Sequence, residues 1–195
     1  MRDKRLILLQ EVGFVYRTVR GELPKTTLVV ALVTVLVTGL DLVHPQIGRA
    51  LQRTPAAIDA HEWWRFITPI LINPEGWRQI TFNLVSLILI GAIVERQWGG
   101  RLWLAFYVIG GVAGEAVGLA WQPIGAGSSV AVCGLLGSLV VSLVLCVRTG
   151  PARFGGIFIL TGALLLIGLR DLHGPPVLAG ASVAAIVWFV RRIAR

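Results

Sequence analysis

The stretch TTLVVALVTVLVTGLDLV, residues 26–43, decides how this chain is read. A helix needs about 20 apolar residues, with a range of about 17–25, to cross the hydrocarbon of a bilayer. This run meets that length and carries no charge before Asp41. Working outward, five more runs follow, at residues 79–94, 102–121, 129–147, 154–169 and 176–190. The last two are short for lipid-facing spans, which a thinner bilayer or packing against neighbours accommodates. The spacing therefore predicts an all-α membrane protein of six transmembrane helices.

Composition agrees. The 195 residues are 55% hydrophobic and 14% charged, against roughly 25% charged in soluble domains. The mean hydropathy is +0.78. These values exclude a disordered chain, a collagen-like chain and an ordinary soluble α/β enzyme. Cys133 and Cys146 share one apolar run, so they read as small core residues rather than a disulfide or metal site. No cofactor or metal is expected.

The separators are short. Glu95–Arg101 and Arg148–Arg153 join neighbouring spans with glycine or proline to break the helix and charges to hold the turn among headgroups. Residues 44–78 are the exception: a long first outer loop, rich in tryptophan and proline, expected to have its own structure and a task. Orientation follows from the 18 lysines and arginines. Arg49, Arg53, Arg65, Arg78 and Arg170 fall on one side of the six spans, and the other thirteen fall on the side of the termini. The positive-inside rule then places both termini in the cytoplasm, as in a bacterial plasma membrane. The same bias explains the net charge of +8 without nucleic acid, since no aromatic-basic platform accompanies it. Residues 1–25 are basic, with apolar positions at Leu6, Leu9, Val12, Tyr16 and Val19. They are expected to lie on the inner leaflet as an amphipathic helix, not to act as a cleaved signal peptide. Residues 26–195 are expected to form one transmembrane domain.

In this topology the second, fourth and sixth spans all begin at the outer face. Three helix N-termini converging there bring free N–H groups and positive dipole ends to one place, suited to stabilising an oxyanion. Gln79 and Asn83, four apart at the start of the second span, share a face and carry NH₂ donors. The fourth span opens Gly125-Ala126-Gly127-Ser128-Ser129. Ser129 is a nucleophile candidate or simply an N-cap, and on bare sequence the cap reading comes first. The sixth span opens Gly174-Pro175-Pro176, where proline suits a helix start.

Several segments together resemble the rhomboid family of intramembrane serine proteases. Glu62-Trp63-Trp64-Arg65 is similar to that family's first-loop Trp-Arg motif, and Gly91-x-x-x-Glu95 to the close of its second helix. Gly127-x-Ser129 with Gly134-x-x-Gly137 resembles the surroundings of its catalytic serine, and Gly180-x-x-x-Ala184 its small-residue sixth helix. The resemblance implies a six-helix rhomboid-like bundle, Ser129 in the nucleophile position and Asn83 in an oxyanion position. It also implies that Glu95 ties the inner helix ends together and that the first loop dips into the bilayer.

The departures bear on function. The family pairs its serine with a histidine three residues before the sixth-helix glycine; counted back from Gly180, that position is Val177, which accepts no proton. Gln79 stands where the family has an oxyanion histidine, and Val130 where glycine follows the serine. A serine without an adjacent base is a weak nucleophile. The preferred expectation is therefore a catalytically impaired relative, a pseudoprotease that binds or escorts the transmembrane helix of a client within the lipid. The alternative is an active intramembrane serine protease using Ser129, with His173 as a displaced base brought inward by the Gly-Pro-Pro loop. A small transporter or assembly subunit is a third reading, weakened by the scarcity of polar residues along the spans. Glu115, at membrane depth, is expected to make a structural ion pair or water contact, with a functional polar site as the second reading, and the resemblance to rhomboids offers Arg65 as its partner. Asp41 and Asp171 read as solvated or capping residues at helix ends. Most of the seven tryptophans read as an interfacial belt.

Overall fold

The computed structural model describes residues 21–147 and 150–194, together with Gly13 and Tyr16. The expected surface helix over residues 2–20 otherwise lies outside the described residues. Among those described there is no strand, only an isolated antiparallel bridge between Arg53 and Gly125. Six helices form a bundle: α1 (Lys25–Val43), α4 (Trp77–Trp98), α5 (Gly100–Trp121), α6 (Ser129–Val141, continued as a π-helix over Ser142–Val147), α7 (Gly150–Gly168) and α8 (Gly174–Ile193). The first loop carries two short helices, α2 (Gln46–Leu51) and α3 (Pro55–Asp59), and two 3₁₀ turns, Trp63–Phe66 and Thr68–Leu71.

Five of the helices are long and apolar enough to cross a membrane. The sixth, α6, is shorter and sits in the middle, packed on α4, α5, α7 and α8. The chain is thus an all-α membrane bundle of six helices. In hydrocarbon the backbone must satisfy its own polar groups, which is why helices carry it across. α7 and α8 are 19 and 20 residues long, longer than the runs at 154–169 and 176–190 suggest. Both start through a proline in their first turn, where the missing N–H has no acceptor to lose, and α8 continues into Arg191 and Arg192.

Where α5, α6 and α8 cross, the helices meet in close backbone contact at glycines. A Cβ on Gly134 would strike the Phe106 carbonyl and Gly110 of α5, and one on Gly180 of α8 would strike the Gly134 carbonyl. Small residues let helices approach closely in lipid, where no hydrophobic drive exists between them. Two tryptophans expected in the belt are instead core: Trp103 and Trp98 are buried, and their indole N–H groups donate to the Gly91 carbonyl (3.0 Å) and Ser142 Oγ (2.9 Å). A buried indole keeps its place only with such an acceptor.

Glu95 near the end of α4 accepts from the backbone N–H of Thr26 (2.8 Å) and Thr27 (2.7 Å) and from the Thr27 hydroxyl (2.8 Å). A carboxylate here satisfies first-turn donors of α1 and faces its positive dipole end. It therefore brings the start of α1 to the end of α4. Arg191 of α8 lies over the Trp98 ring at the same end, 5.9 Å from its centroid. The starts of α4, α6 and α8 lie at the opposite face, under the first loop.

Candidate active site

The first loop is fastened over that face by two arginines. Arg65 donates through Nη1 to the carbonyls of Arg49 and Gln52, both at 2.7 Å, and its Nε pairs with Glu62. Its expected partnership with Glu115 is not what forms. Glu115 instead accepts from Arg53 Nε at 2.7 Å, and both side chains are buried. Arg53 also donates to the carbonyls of Gln122 and Pro123 (2.8 and 2.9 Å), and its backbone exchanges hydrogen bonds with Gly125. Arg53 therefore joins the loop to α5 and to the segment before α6. Arg65 is spent on loop carbonyls and on Glu62.

That segment delivers the serine. Gly127 N–H donates to the Pro69 carbonyl (3.0 Å), and Ser128, not Ser129, takes the N-cap position of α6. The Ser128 hydroxyl and N–H both donate to Asn73 Oδ1 at 3.3 Å, and Asn83 Nδ2 donates to the same oxygen at 2.6 Å. Ser129 is left as the first residue of the helix, with its hydroxyl free for other work. Asn73 is a site residue that sequence reading passes over. It sits in the turn-like run Asn73-Pro74-Glu75-Gly76, and nothing local marks it as the acceptor that joins α4 to α6.

Gln79 and Asn83 come together with Ser129 around Gly127. The point where a side chain of residue 127 would begin lies 3.1 Å from Gln79 Nε2, 3.5 Å from Ser129 Oγ and 3.8 Å from Asn83 Nδ2. Glycine leaves that hollow open. Gln79 Nε2 donates one proton to the Ala126 carbonyl (3.2 Å) and Asn83 Nδ2 one to Asn73. Each NH₂ group carries a second. The first-turn N–H groups of α6 add donors without intrahelical acceptors.

The base comes from the turn between α7 and α8. Arg170 takes a positive φ of 56° and reverses the chain after α7. Gly174 then packs so closely on the Ala163 carbonyl and Ile167 of α7 that a Cβ would collide with them. His173, the N-cap of α8, is thereby held over α6, with Nε2 2.9 Å from Ser129 Oγ. The premise that no imidazole reaches the serine is corrected. The count back from Gly180 lands one helical turn too deep: Val177 is buried in the first turns of α8, its carbonyl against Gly137, while His173 lies a turn nearer the loop face. His173 Nδ1 lies 2.7 Å from Asp171 Oδ1, which also accepts the His173 backbone N–H at 2.9 Å. Burial works to raise the Asp171 carboxyl, but hydrogen bonds and charge from His173 outweigh it and hold it below the usual carboxylate range.

A helical membrane bundle with a serine and an imidazole in hydrogen-bond contact at its loop face defines the class of protein. The chain belongs to the rhomboid family, since residues 60–169, more than half of it, match the Rhomboid domain. That match includes Gln79, Asn83 and Ser129 and stops short of His173. The chain is 36% identical over 80 residues to the rhomboid protease GluP of Bacillus subtilis (strain 168), covering 40% of this chain and 16% of GluP. It is 35% identical over 79 residues to the putative rhomboid protease YdcA of the same organism, covering 39% of each. To the rhomboid protease AarA of Providencia stuartii it is 27% identical over 107 residues, 46% of this chain and 38% of AarA. The alignments thus span well under half the length of these curated relatives.

Proposed function

We propose that this chain is a working intramembrane serine protease that cuts the transmembrane helix of a single-span protein near the loop face. One observation carries the reading: the 2.9 Å contact between His173 Nε2 and Ser129 Oγ. Ser129 donates its proton to His173 as its oxygen attacks a peptide carbonyl. The tetrahedral oxyanion is met by the second protons of Gln79 and Asn83 and by first-turn N–H groups of α6, at the positive end of that helix. His173 then passes its proton to the departing amine, leaving an acyl ester on Ser129. A water molecule, deprotonated by His173, attacks the ester, releases the carboxylic acid and returns the proton to Ser129. His173 and Asp171 are about one-third exposed, 36% and 34%, which supports water entry from the loop side.

Two features support a helix as substrate. α4 packs on α1, α5 and α6, and α7 on α6 and α8, but α4 and α7 have no substantial contact with each other. Exposed Phe82 on α4 and Phe158 on α7 add apolar surface on which a lipid-embedded helix could lie. The excess of lysine and arginine in the sequence on the side of the termini supports a cytoplasmic orientation of that side. The pseudoprotease reading rests on a missing proton acceptor, and with His173 in contact it loses that support.

The test is reconstitution in liposomes with a fluorescent single-span substrate and a fluorophosphonate probe. Labelling of Ser129 and cleavage are expected, with both lost in Ser129→Ala and His173→Ala. A folded wild type that neither labels nor cuts would overturn the protease reading and return the protein to helix escort.

A further inference from the structure

We propose that Asp171 is a positioning residue for His173, making the serine–histidine pair the outer part of a three-member chain, Asp171–His173–Ser129. This rests on the protease reading above. An ionised carboxylate can only accept hydrogen bonds, so the contact between Asp171 Oδ1 and His173 Nδ1 requires the proton on Nδ1. A neutral imidazole has one proton, and fixing it on Nδ1 leaves a lone pair on Nε2, the atom that faces Ser129 Oγ. The choice of tautomer that makes His173 a base is thus made by Asp171.

The local backbone holds the carboxylate for this. The same Oδ1 accepts the His173 N–H at 2.9 Å, so Asp171 and His173 are joined twice, across two residues of chain. The turn itself is pinned by Asp171 N–H on the Leu166 carbonyl (2.8 Å) and Arg170 N–H on the Ile167 carbonyl (3.0 Å). The bond from the His173 N–H is the local capping contact expected of Asp171, and the contact with Nδ1 adds to it a carboxylate aimed at the ring. When His173 takes the serine proton, its positive charge forms beside this carboxylate, which stabilises it. The charged and titratable neighbours are few. Arg170 precedes Asp171 in the turn, Cys133 of α6 interacts electrostatically with Asp171, and α4 contributes the neutral amides of Gln79 and Asn83. Asp171 is the one anion hydrogen-bonded to the ring among the described residues.

The test compares wild type, Asp171→Asn and Asp171→Glu in liposomes and nanodiscs. In the cleavage assay Asp171→Asn is expected to lower kcat about 10–100-fold with little change in KM, because its effect passes through the base. Asp171→Glu should restore part of the rate. Independently of activity, ¹⁵N spectra of His173 should show the Nδ1–H tautomer in wild type and a mixed tautomer in Asp171→Asn. Unchanged ring spectra in Asp171→Asn would overturn the positioning role, as would an unchanged rate in an active enzyme. Changed ring spectra in a wild type that neither labels nor cuts would keep the positioning contact and sink the protease reading alone.

Discussion

Arg53 of the first loop and Glu115 of α5 form an ion pair of 2.7 Å in which both side chains are buried. The loop is fixed over the bundle at this point, because the same guanidinium also holds the carbonyls of Gln122 and Pro123 just before α6. Removing one partner leaves an uncompensated buried charge, which costs about 3–5 kcal/mol. Arg53→Ala and Glu115→Ala are each expected to lower the unfolding midpoint sharply in denaturant titrations in micelles. The double variant Arg53→Met/Glu115→Leu should lose less than the sum of the two.

The position of the base is tested by moving it. His173→Ala should reduce cleavage by about 10⁴-fold or more, as loss of a member of a serine catalytic unit does. His173→Ala/Val177→His should stay equally inactive, because residue 177 is buried one turn deeper. Recovery of cleavage in the double variant would show that the imidazole works from residue 177.

Gly127 should matter for rate more than for folding. A methyl group there would press on Gln79 Nε2 at 3.1 Å and occupy the hollow shared with Ser129 and Asn83. Gly127→Ala is expected to cost about 10²–10³-fold in kcat, the range for loss of an oxyanion donor. Its unfolding midpoint should stay close to wild type. Gly180→Ala should do the reverse, because its Cβ would meet the Gly134 carbonyl, part of a backbone with nowhere to move. Overpacking costs about 1–3 kcal/mol and sometimes more, and loss of folded protein in a protease-resistance assay is the expected readout.

Glu95 carries the start of α1. Glu95→Ala removes acceptors for three donors at that helix end. An unmet cap costs about 0.5–2 kcal/mol. The Gln variant should recover part of this, because it keeps one acceptor oxygen and loses the charge that faces the dipole. Hydrogen exchange at Thr26 and Thr27 would report the change directly.

The Asp171–His173 contact has a defined acid limit. The folded Asp171 carboxyl is held below its ordinary value by its His173 hydrogen bonds, against the opposing effect of burial. Its contribution is therefore present above the unfolded value of about 3.9 and is lost as pH falls through the lowered folded value. Titrating the wild type from neutrality to pH 5 should leave the Asp171 carboxylate resonance unchanged. A carboxyl that titrates above 5 would contradict the contact.

Much of the architecture is legible in the chain because lipid imposes a simple rule. An apolar run of sufficient length must be a helix, and a charged or glycine-rich break must be a turn. Thr26–Val43 with its five fellows, Glu95 at an inner helix end, and the meeting of Gln79, Asn83 and Ser129 all follow from one-dimensional spacing. Helix periodicity puts Gln79 and Asn83 on one face, and topology puts three helix starts at one end. Spacing is a poor guide to contacts across loops. The resemblance to rhomboids offers Arg65 as the partner of Glu115, yet Arg53 forms that pair while Arg65 is engaged by Arg49, Gln52 and Glu62. Spacing passes over Asn73, whose acceptor role depends on a loop lying against two helices.

By itself, the sequence determined that this protein is a six-helix membrane bundle and that a serine begins its central helix, because hydropathy and helix periodicity are properties of neighbouring residues. Only the tertiary structure decided that His173, not residue 177, meets that serine and that Asp171 backs it. The depth of a side chain at a helix start is set by how far the preceding turn reaches inward. Here that reach comes from the left-handed Arg170 and from Gly174 packed on α7, whose combined effect no count of residues along α8 contains.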